Sequence, residues 1–241
     1  KTVYLYLDEF TNYNDTLLGR DALALLEGLG YRVKILPPTD SGRTYISKGF
    51  LKEAKSCADH NIKLYKDLIN EHTPLLGIEP SAIYTFIDEY PKLASDKAAA
   101  KNLATHCLTV ESFLAQELKA GRIHSNQFHE EKREIKFHAH CYQKALGKPI
   151  ESFQILNLPQ NYSVRLMNTG CCGMAGSFGY EKEHYQVSML VGEERLFPAI
   201  RNADPEVLIA ANGTSCRQQI FDGTQRESQH PISILREALI H

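Results

Sequence analysis

Four of the six cysteines are placed to act together: Cys141, the adjacent pair Cys171-Cys172 followed by Gly173, and Cys216. Each comes shortly after a stretch that reads as a β-strand. Four thiolates at one point would repel one another and raise one another's pKa unless a cation offset the charge. Sulfur is a soft ligand that selects iron–sulfur clusters or zinc, and four cysteines satisfy either. The side chains of neighbouring residues diverge, so Cys171 and Cys172 suit a cluster of several iron atoms better than a single zinc ion. Gly170, Gly173, Gly176 and Gly179 allow close backbone approach and leave N–H groups that can hydrogen-bond to sulfur, which lowers the charge cost and tunes a potential. A structural zinc and plain core thiols stay open as readings. Cys57 and Cys107 fall in helical patterns away from these loops and read as core thiols. His138 and His140 flank Cys141 as hydrogen-bonded scaffold groups or nitrogen ligands. Lys144, Arg217, Arg43 and Lys48 either surround the site with positive charge or are solvated.

The elements that must position these residues follow from periodicity. Alternating strands are predicted at 3–7, 31–36, 75–78, 134–138, 162–167 and 207–211, and amphipathic helices at about 18–29, 47–70 and 181–196. Gly30 ends the first helix, Pro37-Pro38 stops the second strand, and Glu79-Pro80-Ser81 reads as a turn. Strands alternating with helices predict an α/β fold with parallel sheets, in which the loops at the carboxyl ends of the strands converge. Cysteines distant in sequence can meet there.

The order of elements repeats. An offset of 131 carries Tyr31 to Tyr162, Val33 to Val164 and Gly42 to Gly173, and an offset of 134 carries Ser81 to Ser215. Internal duplication explains this, giving two tandem pseudo-symmetric Rossmann-like units: residues 1–92 as a first repeat, 93–133 as a helical connector and 134–241 as a second repeat carrying the cysteines. The first repeat has Phe10, Asp40, Ser41 and Ala82 where the second has Cys141, Cys171, Cys172 and Cys216, so one metal centre is expected rather than two.

Composition narrows the function classes. With 27 Lys+Arg against 29 Asp+Glu in 241 residues, the formal net charge is -2, and no nucleic-acid partner is expected. No apolar run approaches the roughly 18 residues that cross a bilayer. The chain opens at Lys1 in a strand, without an initiator Met or a signal segment, and reads as a piece of a longer protein. Free, clustered cysteines point to a reducing, cytoplasmic compartment. Neither a Gly-x-Gly-x-x-Gly loop nor a phosphate-binding Gly-Lys-Ser/Thr loop is present, and the close-spaced ferredoxin cysteine run is missing.

The segments His138-Ala139-His140-Cys141-Tyr142-Gln143-Lys144-Ala145, Gly170-Cys171-Cys172-Gly173-Met174-Ala175-Gly176-Ser177-Phe178-Gly179-Tyr180 and Gly213-Thr214-Ser215-Cys216-Arg217-Gln218-Gln219-Ile220 resemble the cysteine-rich, Cys-Cys-Gly domain family. That family includes the cysteine-rich component of heterodisulfide reductase and the iron–sulfur parts of glycolate, D-lactate and anaerobic glycerol-3-phosphate dehydrogenases. The second and third segments are most similar to the carboxyl-terminal part of large FAD-linked oxidases, and the resemblance spans nearly the whole chain. It implies that Cys141, Cys171, Cys172 and Cys216 bind an iron–sulfur cluster of the 4Fe-4S type, supported by the Gly173 backbone. The cluster would relay electrons from FAD, held in a flavin-containing domain or subunit outside this chain, to a quinone or an electron carrier. A place at the periphery of the membrane's inner face goes with that expectation, and the isolated chain is not expected to turn over substrate. Two departures stand out. Gly213 occupies the position of a fifth cysteine in heterodisulfide reductase members, and the loop Gly42 to Gly49 lacks the cysteines often found near it. The competing expectation is a zinc-stabilised interaction domain that docks to a partner redox subunit.

Overall fold

Alternating side chains in Thr2–Tyr6 form β1, whose Val3, Leu5 and Tyr6 are fully buried. This strand lies between two parallel neighbours. β2 (Arg32–Ile35) pairs with it through Val3↔Val33, and β3 (Leu75–Gly77) through Leu5↔Leu76. The structure is a computed structural model that describes residues 1–240, and the chain divides into two units, Lys1–Leu114 and Ala115–Ile240.

In the first unit, α1 (Glu9–Tyr13) and α2 (Thr16–Gly28) follow β1, and α3 (Arg43–Ser47) and α4 (Leu51–Tyr65) follow β2. After β3 come α5 (Pro80–Tyr84), a π-helical turn (Thr85–Glu89), α6 (Tyr90–Leu93), α7 (Lys97–Ala104), β4 (Cys107–Thr109) and α8 (Val110–Lys119). The division between the units falls within α8. The sheet order is β2-β1-β3-β4, all parallel. Gly30, at φ +87°, closes α2 in the left-handed conformation that a side chain would disfavour, and the Tyr31 N–H caps back on Leu26 O.

The second unit holds β5 (Arg133–His138), α9 (Cys141–Leu146), α10 (Pro149–Leu156), β6 (Tyr162–Leu166), α11 (Tyr185–Arg201), β7 (Leu208–Ala211), α12 (Thr214–Thr224) and α13 (Pro231–Ala238). Its sheet order is β6-β5-β7, again parallel with the first strand in the middle. The chain is therefore α/β with two Rossmann-like parallel sheets, as its periodicity indicates. Shifted by 131, the bounds of β5 and β6 fall within one residue of those of β1 and β2; shifted by 134, those of β7 fall within one residue of β3.

Several local expectations need correcting. Cys107 lies in β4, which joins the first sheet, so the stretch 93–133 is not purely helical. Glu79-Pro80-Ser81 is no simple turn: the Glu79 carboxylate caps α5 by accepting from the Ser81 N–H. The polar stretch 8–15 holds α1, nucleated by Asp8, whose carboxylate accepts from the N–H groups of Phe10 and Thr11.

Candidate metal centre

The cysteines sit at the carboxyl ends of the second sheet's strands. β5 ends at His138; His140 then caps α9 by accepting from the Tyr142 N–H at 3.2 Å, which makes Cys141 the first helical residue. The loop after β6 carries Thr169 through Cys172. Cys216 lies in the first turn of α12, behind β7. The topology thus brings three loops to one place.

There the sulfurs meet. Cys141 Sγ lies 3.7 Å from Cys171 Sγ, and Cys172 Sγ lies 3.5 Å from Cys216 Sγ. Cys172 and Cys216 are buried, while Cys141 and Cys171 are partly open. The Gly173 N–H donates to Cys171 Sγ at 3.3 Å. None of the six cysteines is in a disulfide. Cys57 and Cys107 belong to the first unit; Cys107 donates to Leu103 O from a fully buried site, and burial raises its thiol. Cys57 is pushed up to about 11 by burial and then by the charges of Asp40 and Glu9. Neither joins the four-sulfur group.

Cys141 is pushed far up, first because its thiol hydrogen-bonds to Cys171 and then by burial. Cys171 is held down to about 2 by the hydrogen bonds it receives from Cys141 and Cys172, helped by the Gly173 N–H and the nearby His138. Cys172 is raised by its hydrogen bonds to Cys171 and Cys216, and Cys216 falls well below the ordinary thiol range. Besides its contact with Cys172, Cys216 is lowered by the nearby imidazoles of His138 and His140. Four sulfurs brought within contact of one another are a donor set that fits a soft metal centre. Among the described residues, no group of three or more His, Cys, Asp or Glu is spaced to hold a single metal ion.

Glycines set how closely the loop can fold. Gly173 has φ +101°, and a Cβ there would lie 2.0 Å from Ser188 O, on α11. Gln219 on α12 donates to Ser188 O at 3.2 Å and to Ser188 Oγ at 2.9 Å, bracing the same point. Gly213 has an ordinary φ but no room: a Cβ would lie 2.4 Å from His140 Cδ2 and 3.3 Å from Cys216 Sγ. The His140 ring thus fills the space that a fifth cysteine would need.

The candidate cations are partly absorbed. Lys144 Nζ donates to Gly170 O at 2.5 Å, tying α9 to the cysteine loop. Arg217 donates to Ala211 O and Asn212 O, fixing the β7–α12 turn. Arg43 pairs with Glu89 at 2.9 Å in the first unit. Sequence reasoning missed the working partners Thr169, Ser188 and Gln219. Thr169 Oγ1 lies 2.6 Å from His138 Nδ1 across 31 residues, and no short-range spacing signals such a pair.

No family model matches the chain. Over 232 residues, 95% of its length, it is 25% identical to one subunit of the anaerobic glycerol-3-phosphate dehydrogenase of Escherichia coli (strain K12), and it covers 57% of that subunit. Over 244 residues, 98% of its length, it is 27% identical to D-2-hydroxyglutarate dehydrogenase of Haemophilus influenzae, covering 23% of that protein. Over 246 residues it is 26% identical to D-2-hydroxyglutarate dehydrogenase of Escherichia coli (strain K12), again covering 23%. The chain thus spans little more than half of one relative and under a quarter of the others. It is similar, along nearly all its own length, to parts of dehydrogenases.

Proposed function

We propose that this chain is the iron–sulfur electron-transfer module of an FAD-linked dehydrogenase or oxidase acting on a 2-hydroxy acid, with Cys141, Cys171, Cys172 and Cys216 as ligands of one 4Fe-4S-type cluster. The convergence of four sulfurs from three loops at the carboxyl end of one sheet carries this reading. Similarity to dehydrogenases much longer than the chain supports it, since those proteins have room for a separate substrate-oxidising part. Glycolate and D-lactate are members of the proposed substrate class, and so is the D-2-hydroxyglutarate in one relative's name; the glycerol 3-phosphate of the other is not a 2-hydroxy acid.

A bound cluster would supply reversible one-electron transfer. The chain's own residues do the holding. All four cysteines would bind as thiolates, and the Gly173 N–H lowers the charge on Cys171 sulfur. The partly open faces of Cys141 and Cys171 mark the side from which electrons enter or leave, and the buried Cys172 and Cys216 anchor the centre. Flavin sits in another domain or subunit, and the acceptor is a quinone or an electron carrier. The first repeat, with Phe10, Asp40, Ser41 and Ala82 at the ligand positions, serves as a cluster-free scaffold.

Anaerobic purification followed by iron, sulfide and zinc analysis tests this reading. Near-stoichiometric iron and sulfide are expected, lost in Cys171→Ser and Cys172→Ser and kept in Cys57→Ser. One zinc per chain, with no colour after reconstitution, would establish the zinc-stabilised docking domain instead. Equal loss of iron in all three variants would remove the ligand assignment.

A further inference from the structure

His138 is fully buried at the end of β5, where its Cα pairs with Ala211 of β7. Its Nδ1 lies 2.6 Å from Thr169 Oγ1, and Thr169 is itself buried. Its Nε2 is buried without a protein hydrogen bond of ordinary geometry, on a ring that faces Cys216 and also acts on Cys171. A buried ring nitrogen left unpaired is costly, so its persistence calls for a partner. On the other side of the ring, the Thr169 hydroxyl bonded to Nδ1 can either donate or accept.

We propose that His138 is a positioning residue for the metal centre: Thr169 donates its hydroxyl proton to Nδ1, which places the ring proton on Nε2, and Nε2–H hydrogen-bonds to the Cys216 thiolate. A donor to a ligand sulfur withdraws charge from it and favours the reduced, more negative state of the centre. His138 therefore raises the reduction potential, and Thr169 sets the tautomer that allows it. The role differs from ligation, because all four thiolates stay bound. This inference rests on the cluster reading, and its test separates the two.

The experiment measures iron content, the visible spectrum and the reduction potential of the reconstituted chain in His138→Phe, His138→Gln and Thr169→Val. Phe keeps an aromatic ring and removes both nitrogens; Gln loses the ring but reaches with an amide N–H to the same place. All three variants are expected to load iron. The potential should shift negative in His138→Phe, recover most of that shift in His138→Gln, and shift less in Thr169→Val. Potentials equal to the parent's in a loaded His138→Phe would overturn the inference while leaving the cluster reading intact. A larger shift in Gln than in Phe would also overturn it, since that ranking reports packing rather than a hydrogen bond. Should His138→Phe fail to fold, an unshifted potential in Thr169→Val decides against it. An unaltered chain that takes up no iron sinks this inference together with the cluster reading.

Discussion

Single residues shape the sulfur-rich end of the second sheet. The His140 ring lies 2.4 Å from the Cβ that a cysteine at Gly213 would carry. Gly213→Cys is therefore expected to destabilise the second unit by about 1–3 kcal/mol through overpacking. His140→Ala should lose less in the Gly213→Cys background than alone, and a double-mutant cycle by urea denaturation measures that coupling; additive losses would mean the ring does not fill this space. In the first unit, Asp8 is fully buried and pushed up to about 7, first by burial and then by the nearby charge of Glu79. A carboxyl raised in the folded state binds more protons there than in the unfolded chain. Its contribution to stability is thus present at acid pH and is lost as pH rises from about 4 through about 7, by an amount on the order of 4 kcal/mol. Asp8→Asn should keep an acceptor for the Phe10 and Thr11 N–H groups and flatten this dependence. Comparing denaturation of the two proteins at pH 5.5 and 8 checks it; a parallel pH dependence would contradict the assignment.

At the scale of elements, the two copies solve one problem in different ways. In the first, the Glu9 carboxylate accepts from Ser41 Oγ at 2.6 Å and from the Ser41 N–H at 3.1 Å, so two loops are tied by hydrogen bonds. The offset of 131 places these residues on His140 and Cys172, where the second copy gathers sulfur instead. The second copy also needs close helix packing. The Phe197 ring of α11 lies against both Gly192 of α11 and Gly223 of α12, within 2.3 and 2.4 Å of where a Cβ would stand. Gly223→Ala would gain about 1 kcal/mol of helix propensity, but the collision costs about 1–3 kcal/mol. A net loss of stability is expected by thermal denaturation, with reduced iron uptake, because α12 carries Cys216; a stabilised, fully loaded variant would refute this packing argument. Strands were legible because Tyr31-Arg32-Val33 and Glu134-Ile135-Lys136 alternate. β4 was not, since Cys107-Leu108-Thr109 is only three residues long between helices. α1 was hidden in a polar stretch whose helix depends on the Asp8 cap rather than on periodicity.

For the whole molecule, duplication was the most informative feature of the sequence, because it explains both the repeated sheet order and a four-cysteine set confined to one repeat. The convergence of Cys141, Cys171, Cys172 and Cys216 followed from their place behind parallel strands. What supports them did not: Thr169, Ser188 and Gln219 act across 31 residues each, and only the folded chain brings them into contact. No helix among the described residues is long and apolar enough to cross a membrane. Since the chain covers only 57% or 23% of the relatives compared, its activity is proposed as one part of a larger oxidoreductase. The most direct test of the central claim is the EPR spectrum of the anaerobically reconstituted chain before and after dithionite reduction. A new paramagnetic signal is expected on reduction, integrating to about one spin per chain, with bleaching of the visible absorption. A spectrum that stays silent and colourless in a chain with its full metal complement would contradict an electron-transfer role.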